Sequence, residues 1–504
     1  MHLFQTIFKL LLVGFGLLFV SYETPLFAQN LASSNPSTTN ISGAAGGAAN
    51  ADFDTLIDLI QSTVAYDSWM ENGTGEGEIS PFAINGVYVD AQGTLRVAEN
   101  LTSAATLKES TRSVVDRESG DVRQPSKLRF VSLPRLERAI QQHLRDRTPL
   151  AAEMLTLAGM QCVEYVIVDE ELNDLILAGP AGDWQIGPEK SLVSVDTGRA
   201  VLRLDDLLTL WRRPGGGSPF GCSIVPRQEA LAQTQDFLRA TGSSPLQPGE
   251  KNQWLEKLRT TLGSQDVEFF GIAPTSHAAL VLLVADYHMK LIGMGLVDSV
   301  PGVASYLDTV ELDADGNAPA MSVLRWWFAM NHGPVTTDAK RKIFRLPGRG
   351  VQVLSENELL AARGERVHTH RSDELNERFA NSFTNEFSRI CEMYPLYSEL
   401  ENIFDLSLVL AIIEREQLCK RADWQPALFL DVERLPLPTL QIPREVQTVV
   451  NHRVINRRQI IAGISGGVWV DSRRTLELLP GGASQQQDDS LISQSAPSDH
   501  WWWD

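Results

Sequence analysis

Residues 163–184, VEYVIVDEELNDLILAGPAGDW, place two almost wholly apolar runs, 163–168 and 175–178, on either side of a turn holding Asp169, Glu170, Glu171 and Asp174. Strands this apolar need cover on both faces, so a chain that contains them must pack helices or a second sheet against them. Paired carboxylates do acid and base work only when held a few ångströms apart with one in an apolar setting. A turn offers neither condition, and the four acids are read as the solvated corner of a hairpin, with a weak cation site as the alternative. Ionisable side chains in general are expected on such bends, not gathered in one dry place.

The same pattern recurs along the chain. LVSVDTGRAVLRL predicts a second hairpin around Asp196, Thr197, Gly198 and Arg199, KIFRLPGRGVQVL a third, and RQIIAGI turning into VWVD at Gly466 and Gly467 a fourth. In the first hundred residues, strand-like INGVYVD turns at AQG and returns as TLRV, while the glycine-rich ENGTGEGEIS before it reads as a loop. Helices alternate with these hairpins. Phe53, Leu56, Ile57, Ile60 and Val64 share one face, and further helices are expected near 99–116, 132–145, 227–240 and 250–262. Ser132 caps the 132–145 helix with Pro134 in its first turn; Asp205 caps one carrying Leu207, Leu208 and Trp211; Ser276 caps the apolar SHAALVLLVADYHMKLIGMGL. Ser355 and Glu358 form a capping box for a short helix. Leu375, Phe379, Phe383, Phe387 and Ile390 trace a helical stripe, and Pro395 starts a long helix ending near Cys419. The fold class is therefore α+β: mixed sheets built from hairpins and covered by amphipathic helices, with a small N-terminal α/β module and a larger core.

The ends fix the expected compartment and boundaries. Lys9 precedes an apolar run over 10–20, and Leu26-Phe27-Ala28 offers a small residue before Gln29, so residues 1–28 read as an export signal peptide. Leu26 sits where a small residue is preferred, which leaves an uncleaved anchor as the alternative. The run is too short for a comfortable membrane span, and no integral span is expected in the mature chain. Residues 29–50 are a disordered linker of Ser, Asn, Ala and Gly. The folded part is divided as a small module over 51–100 and an α+β core whose halves cover 101–300 and 301–478. Residues 479–504 form a disordered tail whose Trp501, Trp502 and Trp503 are read as an exposed sticky end, with a docking tag as the alternative.

A net charge of −19 disfavours nucleic acid and anionic membrane surfaces as partners. The densest short basic group, Arg341, Lys342, Arg345 and Arg349, flanks LPGRG and reads as exposed hairpin positions, with phosphate binding as the alternative. Four cysteines are too few to hold this chain together, so the core must be hydrophobic. Cys162 and Cys222 can pair only if their strands are neighbours; a Cys391–Cys419 bridge is disfavoured by the helix between them, and buried thiols remain the other reading.

Motifs that carry chemistry are incomplete. GISGG, residues 463–467, matches the Gly-x-Ser-x-Gly elbow with Ser465 as nucleophile, but a strand follows where the elbow needs a helix. His277 and His288 lie eleven positions apart and read as satisfied core histidines. Asp313, Asp315 and Asn317 with Gly316 match the first half of a calcium loop, whose twelfth position is Leu324 in place of the required Glu. His368 and His370 share a face only in an extended segment and lack an identified third zinc ligand. In VLRWWFAM, Trp326 and Phe328 share one strand face and Trp327 the other, where it can grip a sugar or peptide if exposed. No catalytic, cofactor-binding or metal residue is assigned.

Taken together, QPSKLRFVSLPRLERAI, VEYVIVDEELNDLILAGPAGDW, DTGRAVLRLDDLLTLWR, ADYHMKLIGMGL and RWWFAMNH resemble the bacterial family catalogued as domain of unknown function fifteen ninety-eight, over roughly residues 52–475. The resemblance implies export and no assigned activity. The expected function is an exported, periplasmic or extracellular, non-catalytic binding or scaffold protein placed near an envelope or extracellular partner. The alternative is an extracytoplasmic hydrolase or metal-dependent enzyme, with His368, His370 and His332 as the first ligands to test.

Overall fold

The computed structural model describes residues 78–82, 86–90, 121–187, 191–213, 217–241, 251–310, 323–348, 350–360, 366–455, 458–480 and 500–504. The chain divides into two compact units, Leu17–Thr94 and the remainder. In the first, β1 (Glu78–Phe82) and β2 (Gly86–Asp90) form an antiparallel pair with Ile79 opposite Val89. GVYVD is a strand as its pattern predicts, but its partner is EISPF on the N-terminal side, in a stretch whose glycines and glutamates point to a loop. Pro81 is tolerated there because a two-stranded ribbon consists of edges. The signal peptide, the linker, the helices over 53–64 and 99–116, TLRV and ELDADGNA lie outside the described residues.

The larger unit runs β3 (Ser126–Ser132), α1 (Leu133–Asp146), β4 (Tyr165–Asp169), β5 (Asp174–Ala181), β6 (Trp184–Ile186), β7 (Leu192–Ser194), α2 (Leu204–Trp211) and β8 (Phe220–Pro226). It continues through α3 (Gln228–Thr241), α4 (Lys251–Leu262), β9 (Ser264–Phe270), α5 (His277–Gly293), β10 (Val323–Met330), β11 (Val335–Thr337), β12 (Ile343–Arg345), β13 (Val351–Leu360) and β14 (Arg366–Arg371). The last part holds α6 (Glu374–Asn385), α7 (Phe387–Met393), α8 (Pro395–Arg415), β15 (Glu445–Gln447), β16 (Val450–Ile455), β17 (Arg458–Val470), β18 (Leu478–Pro480) and β19 (Trp502–Trp503). One mixed sheet has the order β18-β11-β12-β4-β5-β3-β19; the other has β14-β13-β10-β17-β8-β9-β15, with β16 also on β17. The fold is α+β.

Local signals place several helices well. The Ser132 hydroxyl accepts the Arg135 N–H at the start of α1, and the Ser276 hydroxyl accepts the Ala279 N–H at the start of α5. Pro395 opens α8, which is buried almost all round and packs on α5 and α2; α5 in turn lies on β8 and β17. Trp326 and Phe328 are buried on one face of β10 and Trp327 is half-buried on the other, as alternation predicts.

Tertiary pairing overrides other local signals. KIFRLPGRGVQVL is not a hairpin: β12 pairs with β4 and β11 in one sheet, whereas β13 pairs with β10 and β14 in the other. Val351 to Glu358 are registered one by one against β10, which holds Ser355 and Glu358 in a strand where their spacing predicts a capped helix. RQIIAGISGGVWV does not turn either. It is one strand, parallel to β10 and antiparallel to β8. Gly466 serves close approach, since a Cβ there would lie 1.9 Å from the Trp326 carbonyl oxygen and 2.8 Å from Asp286 Oδ1. The expected hairpin around Asp196 reduces to a single bridge, Val193 to Ala200, because β7 pairs with β6. Asp205 does not cap α2; Arg203 holds that position and Asp205 lies in the first turn.

Candidate functional site

The edge of the seven-stranded sheet carries the first candidate. Loose composition predicts a disordered 479–504, but Leu478–Pro480 is a strand and the segment 500–504 is docked: Trp502 and Trp503 pair antiparallel with Val131 and Phe130 of β3. The Ser132 N–H donates to the Trp501 carbonyl at 2.8 Å. Trp503 is 7 % exposed, with its ring stacked on Phe130 at 5.5 Å between centroids, and it closes an apolar patch of Ile167, Ile176, Ala178 and Ile343. The three indoles are therefore not the exposed sticky end that the composition predicts. The reason is an unpaired strand edge beside an apolar face, a template invisible without the sheet order.

Charge fixes the register of that segment. Arg129 is 0 % exposed and commits all five N–H groups: Nε and Nη2 donate to the Asp504 carboxylate at 2.8 and 3.0 Å, and the other three go to the carbonyls of Val122, Ala158 and Gln124. Its guanidinium also lies 4.7 Å from the Trp502 ring centroid. Arg135 bonds the His500 carbonyl at 3.3 Å, faces the Trp503 ring, and pairs with Asp174 at 3.0 Å. Asp174 itself is buried and accepts the Ser132 hydroxyl at 2.5 Å, with burial holding its carboxyl above the usual range. The acidic corner is thus only partly the expected one. Asp169 caps the turn by accepting the Glu171 and Leu172 N–H groups, and Glu170 pairs with Arg421, while Asp174 belongs to the β3 site.

A second candidate lies along α8, where ionisable groups expected on scattered bends converge instead. His277 Nδ1 is 3.0 Å from Asp206 Oδ2 and its Nε2 is 3.8 Å from Glu399 Oε1; Arg203 forms a bidentate pair with Asp205 at 3.0 and 2.8 Å. Burial and the Arg203 charge oppose protonation of His277, but Asp206 and Glu399 outweigh them and raise its pKa. Burial raises Glu399, and although burial also acts on Asp205, Arg203 holds that carboxyl at about 2. Further along α8, Glu401 pairs with Arg199, Ser398 and Asn402 hold both backbone groups of Ala200, and His332 Nε2 meets Asp405 at 2.8 Å. A general base needs a ring nitrogen open to substrate, and both nitrogens of His277 face carboxylates. The arrangement pins α2, α5 and α8 together.

The remaining sequence candidates separate. Glu356 gathers His368 Nδ1 at 3.2 Å, the His370 N–H at 2.9 Å and Arg325 at 3.0 Å; these outweigh burial and hold its carboxyl at about 2. His332 sits apart from this trio, on Asp405. Among the described residues, no group of three or more His, Cys, Asp or Glu side chains is placed to hold a metal ion. Ser465 is buried within β17. All four cysteines are free, with burial pushing the Cys162 thiol up to about 12. Arg341 is bidentate to Glu416 and Arg345 faces the Tyr165 ring, which leaves no convergent phosphate site in these two. His288 bonds the Tyr397 hydroxyl at 2.9 Å, and burial lowers its pKa to about 4. Trp327 is covered on one side by Arg325 at 4.4 Å. Among the described residues, no helix is long and apolar enough to cross a membrane.

Fold and site together define an α+β protein with a strand-edge docking site. Its resemblance is to a family described as protein of unknown function (DUF1598), whose model matches residues 222–306, from β8 to just beyond α5. Of the five stretches that carry the resemblance, ADYHMKLIGMGL lies inside the match, which is far shorter than the expected 52–475; the other four, and the β3 edge, lie outside it. No curated protein and no solved structure is significantly similar to the chain.

Proposed function

We propose that this chain is an exported, non-catalytic binding or scaffold protein of the cell envelope, and that its working surface is the β3 edge. The observation that carries the reading is Arg129: a fully buried guanidinium whose bidentate acceptor comes from a five-residue segment seated as an added strand. Such hydrogen bonds to a charged group are worth about 1.5–3 kcal/mol each, and the Phe130–Trp503 stack adds about 0.5–1.5 kcal/mol. Main-chain pairing supplies affinity, while the apolar patch and the arginine supply specificity for an aromatic, aromatic, acidic sequence. Export rests on Lys9 and the apolar run behind it.

The test uses the full chain with Trp503→Ala and Asp504→Ala, which vacates the site, and a labelled peptide of sequence DHWWWD. Saturable binding to the variant is expected, at least about 10-fold tighter than to the unaltered chain, where the tethered segment competes at about millimolar effective concentration. A scrambled peptide that binds the vacated chain equally well overturns the proposal. Stoichiometric zinc that is lost in a His368→Ala, His370→Ala variant, or hydrolysis that is lost in His277→Gln, would put a hydrolytic or metal-dependent enzyme first.

A further inference from the structure

We infer that Asp174 regulates the β3 edge: when its carboxyl takes a proton the grip on the tryptophan segment loosens, so the edge holds its segment at neutral pH and releases it in acid. The inference rests on the reading of that edge as a segment-binding site. Its ground is the place of Asp174, directly behind the two residues that grip the first half of the segment. Asp174 opens β5, between β3 and β4 and under α1, and its side chain is 2 % exposed. Its Oδ1 accepts the Ser132 hydroxyl at 2.5 Å and the Leu175 N–H at 3.0 Å, and its Oδ2 lies 3.0 Å from Arg135 Nε. Asp169 of β4 is its register partner, and Arg138 of α1 adds positive charge nearby.

Ser132 and Arg135 turn their other groups to the segment. The Ser132 N–H donates to the Trp501 carbonyl at 2.8 Å, while Arg135 sends Nη1 to the His500 carbonyl at 3.3 Å and sets its guanidinium 5.5 Å from the Trp503 ring centroid. An ionised carboxylate on Nε fixes the planar fork, and that orientation presents Nη1 and the guanidinium face to the segment. A proton on the carboxyl removes the charge that fixes the fork and adds an O–H that competes at the Ser132 hydroxyl. Arg135 then regains its rotamer freedom, and the His500 and Trp503 contacts weaken together. Burial, the largest influence on Asp174, holds its carboxyl above the usual range, while Ser132, Arg135, the Leu175 N–H and Arg138 pull the other way without cancelling it. The grip is therefore present above that raised value and is lost as pH falls through it. Linkage runs both ways, so an occupied edge resists protonation of Asp174.

The test titrates affinity against pH in the full chain carrying Trp503→Ala and Asp504→Ala. The probe is a labelled peptide DQWWWD, capped at both ends, in which glutamine replaces the histidine that would titrate near about 6.5; its acids titrate near about 3.9. Affinity is expected to fall about 10-fold as pH drops from neutral, with a midpoint above the about 3.9 of an ordinary Asp. Adding Asp174→Asn, of the same shape and neutral throughout, should give binding about 10-fold weaker at neutral pH and no such midpoint. In the unaltered chain, the protection factor of the Ser132 amide, which donates to Trp501, should fall over the same range. Affinity that stays flat down to about 3.9, or an Asp174→Asn profile with the same midpoint as its parent, overturns the regulation and leaves the binding site standing. A vacated chain that binds no DQWWWD at any pH overturns both. Where Asp174→Asn does not fold, the Ser132 amide decides: protection unchanged down to about 3.9 overturns the inference.

Discussion

Lys290→Met is expected to cost far more stability alone than in company with Asp286→Leu. Both residues are 0 % exposed, one turn apart on α5, with Lys290 Nζ 2.5 Å from Asp286 Oδ2. The Gly467 backbone and the Arg325 charge also favour the ionised form of this carboxylate. At that separation and an effective dielectric of about 20, the gross attraction is about 7 kcal/mol. Removing the ammonium leaves a dry carboxylate without its nearest counter-ion, for which breaking a buried pair costs about 3–5 kcal/mol. Taking both charges out removes two desolvated ions at nearly constant volume, and the double variant should return to within about 1 kcal/mol of the starting chain or exceed it. Urea unfolding at pH 7, followed by tryptophan fluorescence with unchanged slope, measures this. Because burial pushes the Asp286 carboxyl up, the single variant should also recover part of its loss as pH falls and the acid takes a proton. A single variant within about 1 kcal/mol of the starting chain, or a double variant no better than the single, refutes the reasoning.

Other outcomes follow from the same charges and contacts. Glu356 has a folded pKa of about 2 against a usual 4.5, so its contribution is present above 4.5 and fades as pH falls toward 2. Acid unfolding should therefore be shallower in Glu356→Gln, by at most about 3 kcal/mol over that range. His277 has a raised folded pKa, so its contribution is present below 6.5 and is lost as pH rises through the folded value; denaturation midpoints should decline across that rise in the native chain and stay flat in His277→Gln. The Trp503 indole N–H has no hydrogen-bond partner among the described residues, so Trp503→Phe should leave docking within about 3-fold, whereas Trp503→Ala weakens it about 100-fold or more. Hydrogen exchange at the Ser132 amide, which donates to Trp501, separates the two: protection retained in Phe and lost in Ala.

Sequence alone determined what depends on neighbours a few positions away. Ser132 and Ser276 satisfy the first N–H groups of α1 and α5 whatever surrounds them, and alternation along VLRWWFAM sets which ring faces inward because a pleat has period two. The apolar runs of 163–178 likewise fixed a hairpin and an α+β class. Tertiary structure decided where strands find partners. The chain passes from one sheet to the other between β12 and β13, and GISGG runs straight, because β10 pairs with β13 over eight residue pairs and with β17 over six, while β8 pairs with β17 over five. It also decided both candidate sites. Arg129 and Asp504 stand 375 positions apart, and Asp206, His277 and Glu399 come from three separate helices. A lone tryptophan run reads as loose chain until an open strand edge and a buried guanidinium stand beside it, since the stabilising desolvation belongs to the assembled surface and not to the segment.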